Sequence, residues 1–280
     1  MASPRDTGGV AMTIAAMTIA ASKIAALKIA AAQIDIVWED RKANFSKVDA
    51  LAKRAADLGA DLLVLPEMFS TGFSMDTSMT AESRDGATPT FIRELALRYH
   101  IGVLGGFVLE NEEGRALNSA LVVDRKGNDI ALYTKTYLFS YTGEDRCHQA
   151  GEGPVFFEFE GCPATCFICY DLRFPELFRK TFANAEVAFV IASWPASRAR
   201  HWEILLNARA IENQFYVVGV NRTGKGAGLL FSGGSRIVGP QGDIEGVLGD
   251  EESLLVGDIL PDNVRKTRDA FPFLKDYRNL

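Results

Sequence analysis

Ala164-Thr-Cys-Phe-Ile-Cys-Tyr-Asp-Leu-Arg-Phe-Pro-Glu-Leu-Phe178 is an apolar run that stops on a cysteine and turns at once into a stretch with helical punctuation. Ala164 to Ile168 reads as a buried strand, and Pro175 to Ala183 reads as a helix with proline in its first turn. A strand-to-helix turn exposes the residue at its apex. The N–H groups that open the helix favour negative charge developing in front of them. Cys169 therefore stands where a nucleophile is expected, because the thiolate is the attacking species and needs such surroundings. Asp171 is expected to cap the following helix, and Arg173 to pair with Asp171 or Glu176, both bracing the turn.

Working outward, two more polar residues occupy the same kind of place. Glu67 follows the run Leu62-Leu-Val-Leu-Pro66, and Lys135 follows Asp129-Ile-Ala-Leu-Tyr-Thr134. In layered α/β folds, ligands gather beyond the carboxyl ends of strands, so the three side chains are expected to share one pocket. Glutamate, lysine and cysteine together suggest a base, an electrophilic stabiliser and a nucleophile. Taken singly, each has a duller reading: a solvated cap, a surface cation and an inert buried thiol.

The rest of the chain alternates in kind. Asn44 is the expected N-cap of a helix with apolar face Phe45, Val48, Leu51, Ala52, Ala55 and Leu58, stopped by Gly59. A second helix is expected over Thr90 to Tyr99, then a strand over Ile101 to Leu109. Hairpin turns follow at Asn111 to Gly114 and Arg125 to Asn128, with strands Ser119 to Val123 and Ile130 to Tyr133. Strand Val187 to Ala192, helix Arg198 to Asn213 and strand Phe215 to Asn221 complete the pattern. This order predicts a layered α/β fold with helices against a sheet face.

Leu65-Pro-Glu-Met-Phe-Ser-Thr-Gly72, Tyr133-Thr-Lys-Thr-Tyr-Leu-Phe139 and Cys169-Tyr-Asp-Leu-Arg-Phe-Pro-Glu176 resemble, in order, the three signature blocks of the nitrilase or carbon–nitrogen hydrolase superfamily. The resemblance runs from about residue 28 to the C-terminus. Ser193 to Gln214 is similar to the omega-amidase branch, whose members deaminate 2-oxoglutaramate, 2-oxosuccinamate and short dicarboxylic monoamides. What this resemblance implies is an αββα sandwich, paired as αββααββα in a homodimer, acting on a small amide and water without a cofactor or metal. It implies that Cys169 attacks the carbonyl to form a thioester and that Glu67 carries the protons. Lys135 and the Tyr170 N–H would hold the oxyanion, and Glu144 would match the family's extra glutamate and orient Lys135. Trp194 is expected to line the pocket or to pack beside it. An arginine is expected to meet the substrate's second carboxylate, with Arg173, Arg198 and Arg200 as candidates. Tyr137 departs from the pattern, since many relatives carry histidine there, and the loop with Cys147 and His148 varies between branches. N-carbamoyl amide or nitrile hydrolysis is the alternative within the same site.

Bulk properties narrow the classes further. The 280 residues carry a net charge of -6 with pI near 5.3, without a block of like charges, which argues against nucleic acid. After the first residues no run reaches the roughly 18 apolar residues of a membrane span. The four cysteines crowd one region and do not suggest a secreted disulfide framework, so a reducing, cytoplasmic setting is expected. Residues 12 to 31 repeat a five-residue pattern ending in Ile-Ala-Ala, which fits neither helix nor strand. Residues 1–27 are expected to be a repetitive leader ahead of a 28–280 domain, in preference to a signal peptide, because Lys23 and Lys28 break the apolar run.

Two rival chemistries use other residues of the same chain. Cys162, Cys166 and Cys169 have the spacing of an iron–sulfur radical enzyme, but strand geometry would turn Cys166 and Cys169 to opposite faces. A cysteine–histidine pair would need His100, His148 or His201 as base and leave Glu67 and Lys135 without a role.

Overall fold

The computed structural model describes residues 26–278. The leader expected over residues 1–27 lies outside the described residues except for Ala26 and Leu27, and Leu27 already opens the first strand. In chain order the strands are β1 (Leu27–Gln33), β2 (Leu62–Val64), β3 (Ala81–Glu82), β4 (Gly102–Glu110), β5 (Ala116–Val123), β6 (Asp129–Thr134), β7 (Phe156–Phe159), β8 (Cys162–Ile168), β9 (Val187–Ala192), β10 (Tyr216–Asn221), β11 (Thr223–Gly226), β12 (Leu229–Ser232), β13 (Arg236–Val238), β14 (Ile244–Val247) and β15 (Ser253–Ile259). The helices are α1 (Arg41–Asp57), α2 (Thr77–Thr80), α3 (Ala87–Tyr99), α4 (Glu144–Cys147), α5 (Pro175–Arg179), α6 (Ala199–Asn213) and α7 (Pro261–Ala270).

Two sheets carry the architecture. One runs β15-β1-β2-β4-β5-β6 with β3 on β4, the other β14-β13-β10-β9-β8-β7, and β11 and β12 form a separate two-stranded sheet. The central strands of the first sheet, β1, β2, β4 and β5, are buried on both sides, and their side chains divide by parity. Leu62, Val64, Leu104, Ala120 and Val122 join the core shared with β8 and β9, while Leu63, Leu65, Val103, Leu121 and Val123 pack under α1 and α3. Strands covered on both faces need unbroken apolar runs, which is why these read as continuous hydrophobic stretches. Helix α6 covers the far side of the second sheet through Trp202, Leu206 and Ala210. Helices thus lie outside both sheets, an αββα layering, where element order alone had suggested one covered face.

Local departures from expectation have simple causes. Asp40, not Asn44, caps α1, accepting from the Ala43 N–H at 2.9 Å. Asn44 is buried one turn in, donating to the Val37 and Ser70 carbonyls and accepting from the Val37 N–H, so it ties α1 to the loop that carries Glu67. The helix expected from Pro175 to Ala183 is only α5, preceded by a 3₁₀ turn over Cys169–Arg173. Asp171 sits inside that turn, where its carboxylate accepts from the Ile168 and Tyr137 N–H groups and the Tyr133 hydroxyl at 3.0, 2.8 and 2.7 Å. It staples the nucleophile turn to the strand end bearing Lys135. Arg173 pairs with neither Asp171 nor Glu176. No helix among the described residues is long and apolar enough to cross a membrane.

Candidate active site

β2, β6 and β8 end on the same side of the sandwich, and the residues just beyond them converge. The chain after β2 is held close to β4: a Cβ added at Gly106 would lie 2.7 Å from the Glu67 Cα, so only glycine admits this approach. Met68 (φ 45°) and Cys169 (φ 47°) both adopt left-handed backbone, unusual for residues with side chains and of the kind that collects at functional sites. At Cys169 this turn lifts the thiol off the end of β8. Arg209 of α6 holds the carbonyl three residues on, donating from Nη2 and Nε to Leu172 at 2.8 and 3.2 Å.

Glu67, Lys135 and Glu144 have no exposed side-chain surface. Lys135 Nζ lies 2.9 Å from Glu67 Oε1 and 2.9 Å from Glu144 Oε2. Glu67 Oε2 accepts from the Ser193 N–H at 2.8 Å, and Glu144 Oε2 from the Phe139 N–H at 2.6 Å. Burial alone would drive protons off Lys135, but Glu144 and Glu67 outweigh it and hold the ammonium firmly charged. Burial likewise works against ionised Glu144, yet Lys135 and the donors from Asn118 and Phe139 keep it below the ordinary glutamate range. Burial, then the nearby Glu67, push the Cys169 thiol well above its usual range, with Lys135 and the Ser193 N–H opposing. Cys169 therefore rests as a thiol.

A cavity of about 270 Å³ opens onto Cys169 and Lys135. Its walls include Tyr170, Arg173, Trp194 and Arg198, four of the residues expected around the substrate. Trp194 both lines the cavity and packs, 3 % exposed, with its indole N–H donated to the Arg198 carbonyl at 2.8 Å. Arg173 lies 4.6 Å over the Trp194 ring and Arg198 5.5 Å over Phe139. Among the described residues neither guanidinium has a carboxylate partner. Arg200 is placed elsewhere, exposed and paired with Glu203 at 3.1 Å. Tyr137 stacks on Phe174 with ring centroids 3.6 Å apart, which explains an aromatic at that position.

The rival chemistries do not find their geometry. Cys162 and Cys166 stay in the buried core along β8, and among the described residues no three His, Cys, Asp or Glu side chains are grouped to hold a metal ion. No histidine lines the cavity: His100 ends α3 in left-handed backbone, His201 lies beside Arg173, and His148 is sealed behind Glu144. Sequence reasoning missed Asn118 and Ser193. Asn118 lies one residue ahead of the strand expected from Ser119, where a lone polar residue carries no signal, and the Ser193 contact comes from its backbone, which no side-chain motif reports.

A family model described as carbon-nitrogen hydrolase matches residues 28–269. The chain is 34% identical over 246 residues to Omega-amidase YafV of Escherichia coli, covering 87% of this chain and 94% of that protein. It is 32% identical over 248 residues to a 2-oxoglutaramate amidase of Bacillus subtilis, covering 88% and 95%. Among solved structures, a CN-hydrolase superfamily protein of Xanthomonas campestris with an arsenic adduct in its active site superimposes with a TM-score of 0.87 at 31% identity, covering 91% of this chain and 98% of that one.

Proposed function

Since this chain belongs to the carbon–nitrogen hydrolase family and hydrolyses amides, we propose that it releases ammonia from small dicarboxylic acid monoamides such as succinamate or 2-oxoglutaramate. The observation that carries this reading is the pairing, in one small cavity, of Cys169 and Lys135 with two guanidinia, Arg173 and Arg198, that have no carboxylate partner among the described residues. A substrate with an amide at one end and a carboxylate at the other spans these groups. Planar guanidinium forks suit a carboxylate, and a cavity of this size takes a small molecule.

In this reading the Cys169 sulfur attacks the amide carbonyl as its proton passes to Glu67. The transfer relocates charge inside the cluster without adding any, which suits a thiol that burial keeps protonated. Lys135 and the Tyr170 N–H hold the resulting oxyanion, and loss of one such donor costs about 10²–10³ in rate. Glu67 returns the proton to the departing nitrogen, the C–N bond breaks and ammonia leaves a thioester on Cys169. Glu67 then takes a proton from water, whose oxygen attacks the thioester; collapse breaks the C–S bond, frees the carboxylic acid and restores the thiol. Glu144 keeps Lys135 charged and in place throughout.

A homodimer is part of the same proposal. Ile204 and Ile211 on α6, with Ile244 and Val247 on β14, leave an apolar face about half exposed, and sedimentation of the purified chain tests the pairing.

Ammonia release is to be measured on succinamate, 2-oxoglutaramate, an N-carbamoyl amino acid and a simple nitrile, with wild type and Cys169→Ala. Turnover of the two monoamides, abolished in the variant, is the expected result. Preference for the carbamoyl compound or the nitrile would overturn the substrate assignment, and turnover surviving Cys169→Ala would overturn the mechanism.

A further inference from the structure

We propose that Asn118 is a positioning residue that decides which oxygen of Glu67 acts as the base, by spanning both buried carboxylates with one neutral amide. The inference rests on the reading of Glu67 as proton carrier. The Asn118 Nδ2 donates to Glu67 Oε1 and to Glu144 Oε1, each at 2.8 Å. Its main chain is engaged as well, the Lys135 N–H donating to the Asn118 carbonyl at 2.8 Å. One residue on β5 therefore fixes the backbone of the lysine and the side chains of both glutamates.

The acceptor count shows the consequence. A carboxylate oxygen offers about two lone-pair directions. Glu67 Oε1 fills both, with Asn118 at 2.8 Å and Lys135 at 2.9 Å. Among the described residues Oε2 receives only the Ser193 N–H, so it keeps a free position and is the atom left to take the thiol proton. Glu144 is saturated differently, by Asn118, Lys135 and the Phe139 N–H, which suits a group that holds charge and does not move protons.

The choice of side chain follows from charge. Two carboxylates and one ammonium, all with buried side chains, leave one surplus negative charge. Lysine or arginine at 118 would cancel it and weaken the base; aspartate would add a third carboxylate; serine would bring a single hydrogen. Asparagine supplies two hydrogens and no charge. An inverted amide would set Oδ1 against two carboxylate oxygens, so one orientation is admitted, and it leaves Oδ1 without a protein donor. The charged and titratable groups around it are Glu67 beyond β2, Lys135 beyond β6, Glu144 of α4, the Cys169 thiol and, behind Glu144, the buried His148 imidazole.

The test uses Asn118→Leu, which removes both hydrogens at similar volume, and Asn118→Asp, which keeps the shape and adds a carboxylate. For each, the rate of Cys169 alkylation by iodoacetamide is followed from acid to alkaline pH on the Cys169 peptide by mass spectrometry, beside kcat and KM for succinamate. Both variants are expected to move the acid limb to higher pH, Asn118→Asp further, because three carboxylates around one ammonium retain an extra proton. kcat should fall about ten- to a hundredfold with little change in KM, as for loss of a hydrogen bond to a charged group. A purely structural role would lower the melting temperature and leave the acid limb where it was; that result in folded variants overturns the inference. If Asn118→Leu fails to fold, the near-isosteric Asn118→Asp decides. Alkylation needs no substrate, so a shifted limb without turnover of any amide would sink the amidase reading and leave this role of Asn118 standing.

Discussion

Lys135 Nζ lies 2.9 Å from Glu144 Oε2 with neither side chain reaching solvent, so each is the condition for the other's burial. Removing the ammonium would strand Glu144 and Glu67 together. Lys135→Met is expected to cost about 3–5 kcal/mol, the range for breaking a buried pair from one side, measured by urea unfolding at neutral pH. Lys135→Met/Glu144→Gln should recover much of that stability and none of the activity, a coupling visible in a double-mutant cycle. Glu144 sits below its ordinary range and Lys135 above its own. Their stabilisation is therefore present in the wild type from above the glutamate range up to the lysine range. It fades as pH falls through the lowered Glu144 value, and acidification should narrow the Lys135→Met deficit.

Gly106→Ala tests the close approach of β4 to the Glu67 loop. The added methyl would stand 2.7 Å from Glu67 Cα and 2.8 Å from Met68 N, both backbone atoms that cannot step aside. Overpacking of this kind costs about 1–3 kcal/mol. Because the displaced backbone carries Glu67, kcat should fall by more than thermal unfolding accounts for, and an unchanged kcat would mean the loop tolerates the shift.

Asp171 offers a pH signature of its own. Burial pushes its carboxyl up to about 6, even with the Ile168, Tyr137 and Tyr133 donors pulling it down. A carboxyl raised on folding gains stability as pH drops from its folded value toward its unfolded one, since the folded state binds the proton first. Asp171→Asn lacks that gain. The stability gap between wild type and variant, read from chemical unfolding at a series of pH values, is expected to widen on acidification from about 6 toward 4; a constant gap would contradict the assignment.

Arg173→Met and Arg198→Met separate carboxylate recognition from catalysis. Losing a charged hydrogen bond should raise KM for succinamate about tenfold or more, while butyramide, which lacks the distal carboxylate, should be turned over as before. The ratio of kcat/KM for the two amides is the quantity to follow. If it holds constant in both variants, the carboxylate is bound elsewhere.

The paired runs of apolar residues announced the central strands, because strands buried on two faces cannot afford polar interruptions. Cys169, Glu67 and Lys135 were legible for a related reason: each follows such a run directly, and strand ends are where layered folds place their chemistry. Ends of helices were less legible. Asn44 has the chemistry of a cap but lies one turn inside α1, since Asp40 takes that place and the Asn44 amide is claimed by the Val37 and Ser70 backbone. Arg173 has acidic neighbours in sequence and yet lies over Trp194, because the 3₁₀ turn after Cys169 swings it toward the cavity.

By itself the sequence determined the layered α/β class and the three polar groups, Glu67, Lys135 and Cys169, that stand just beyond strand ends, since these depend on local periodicity and on residue types at strand ends. Only the tertiary structure decided that Asn118 bridges Glu67 and Glu144, that the Ser193 N–H holds Glu67, and that Arg173 and Arg198 face the cavity while Arg200 does not. Those contacts join residues 26 to 126 positions apart, and whether a given hydrogen bond forms across such a distance depends on how two sheets pack, which local pattern does not encode.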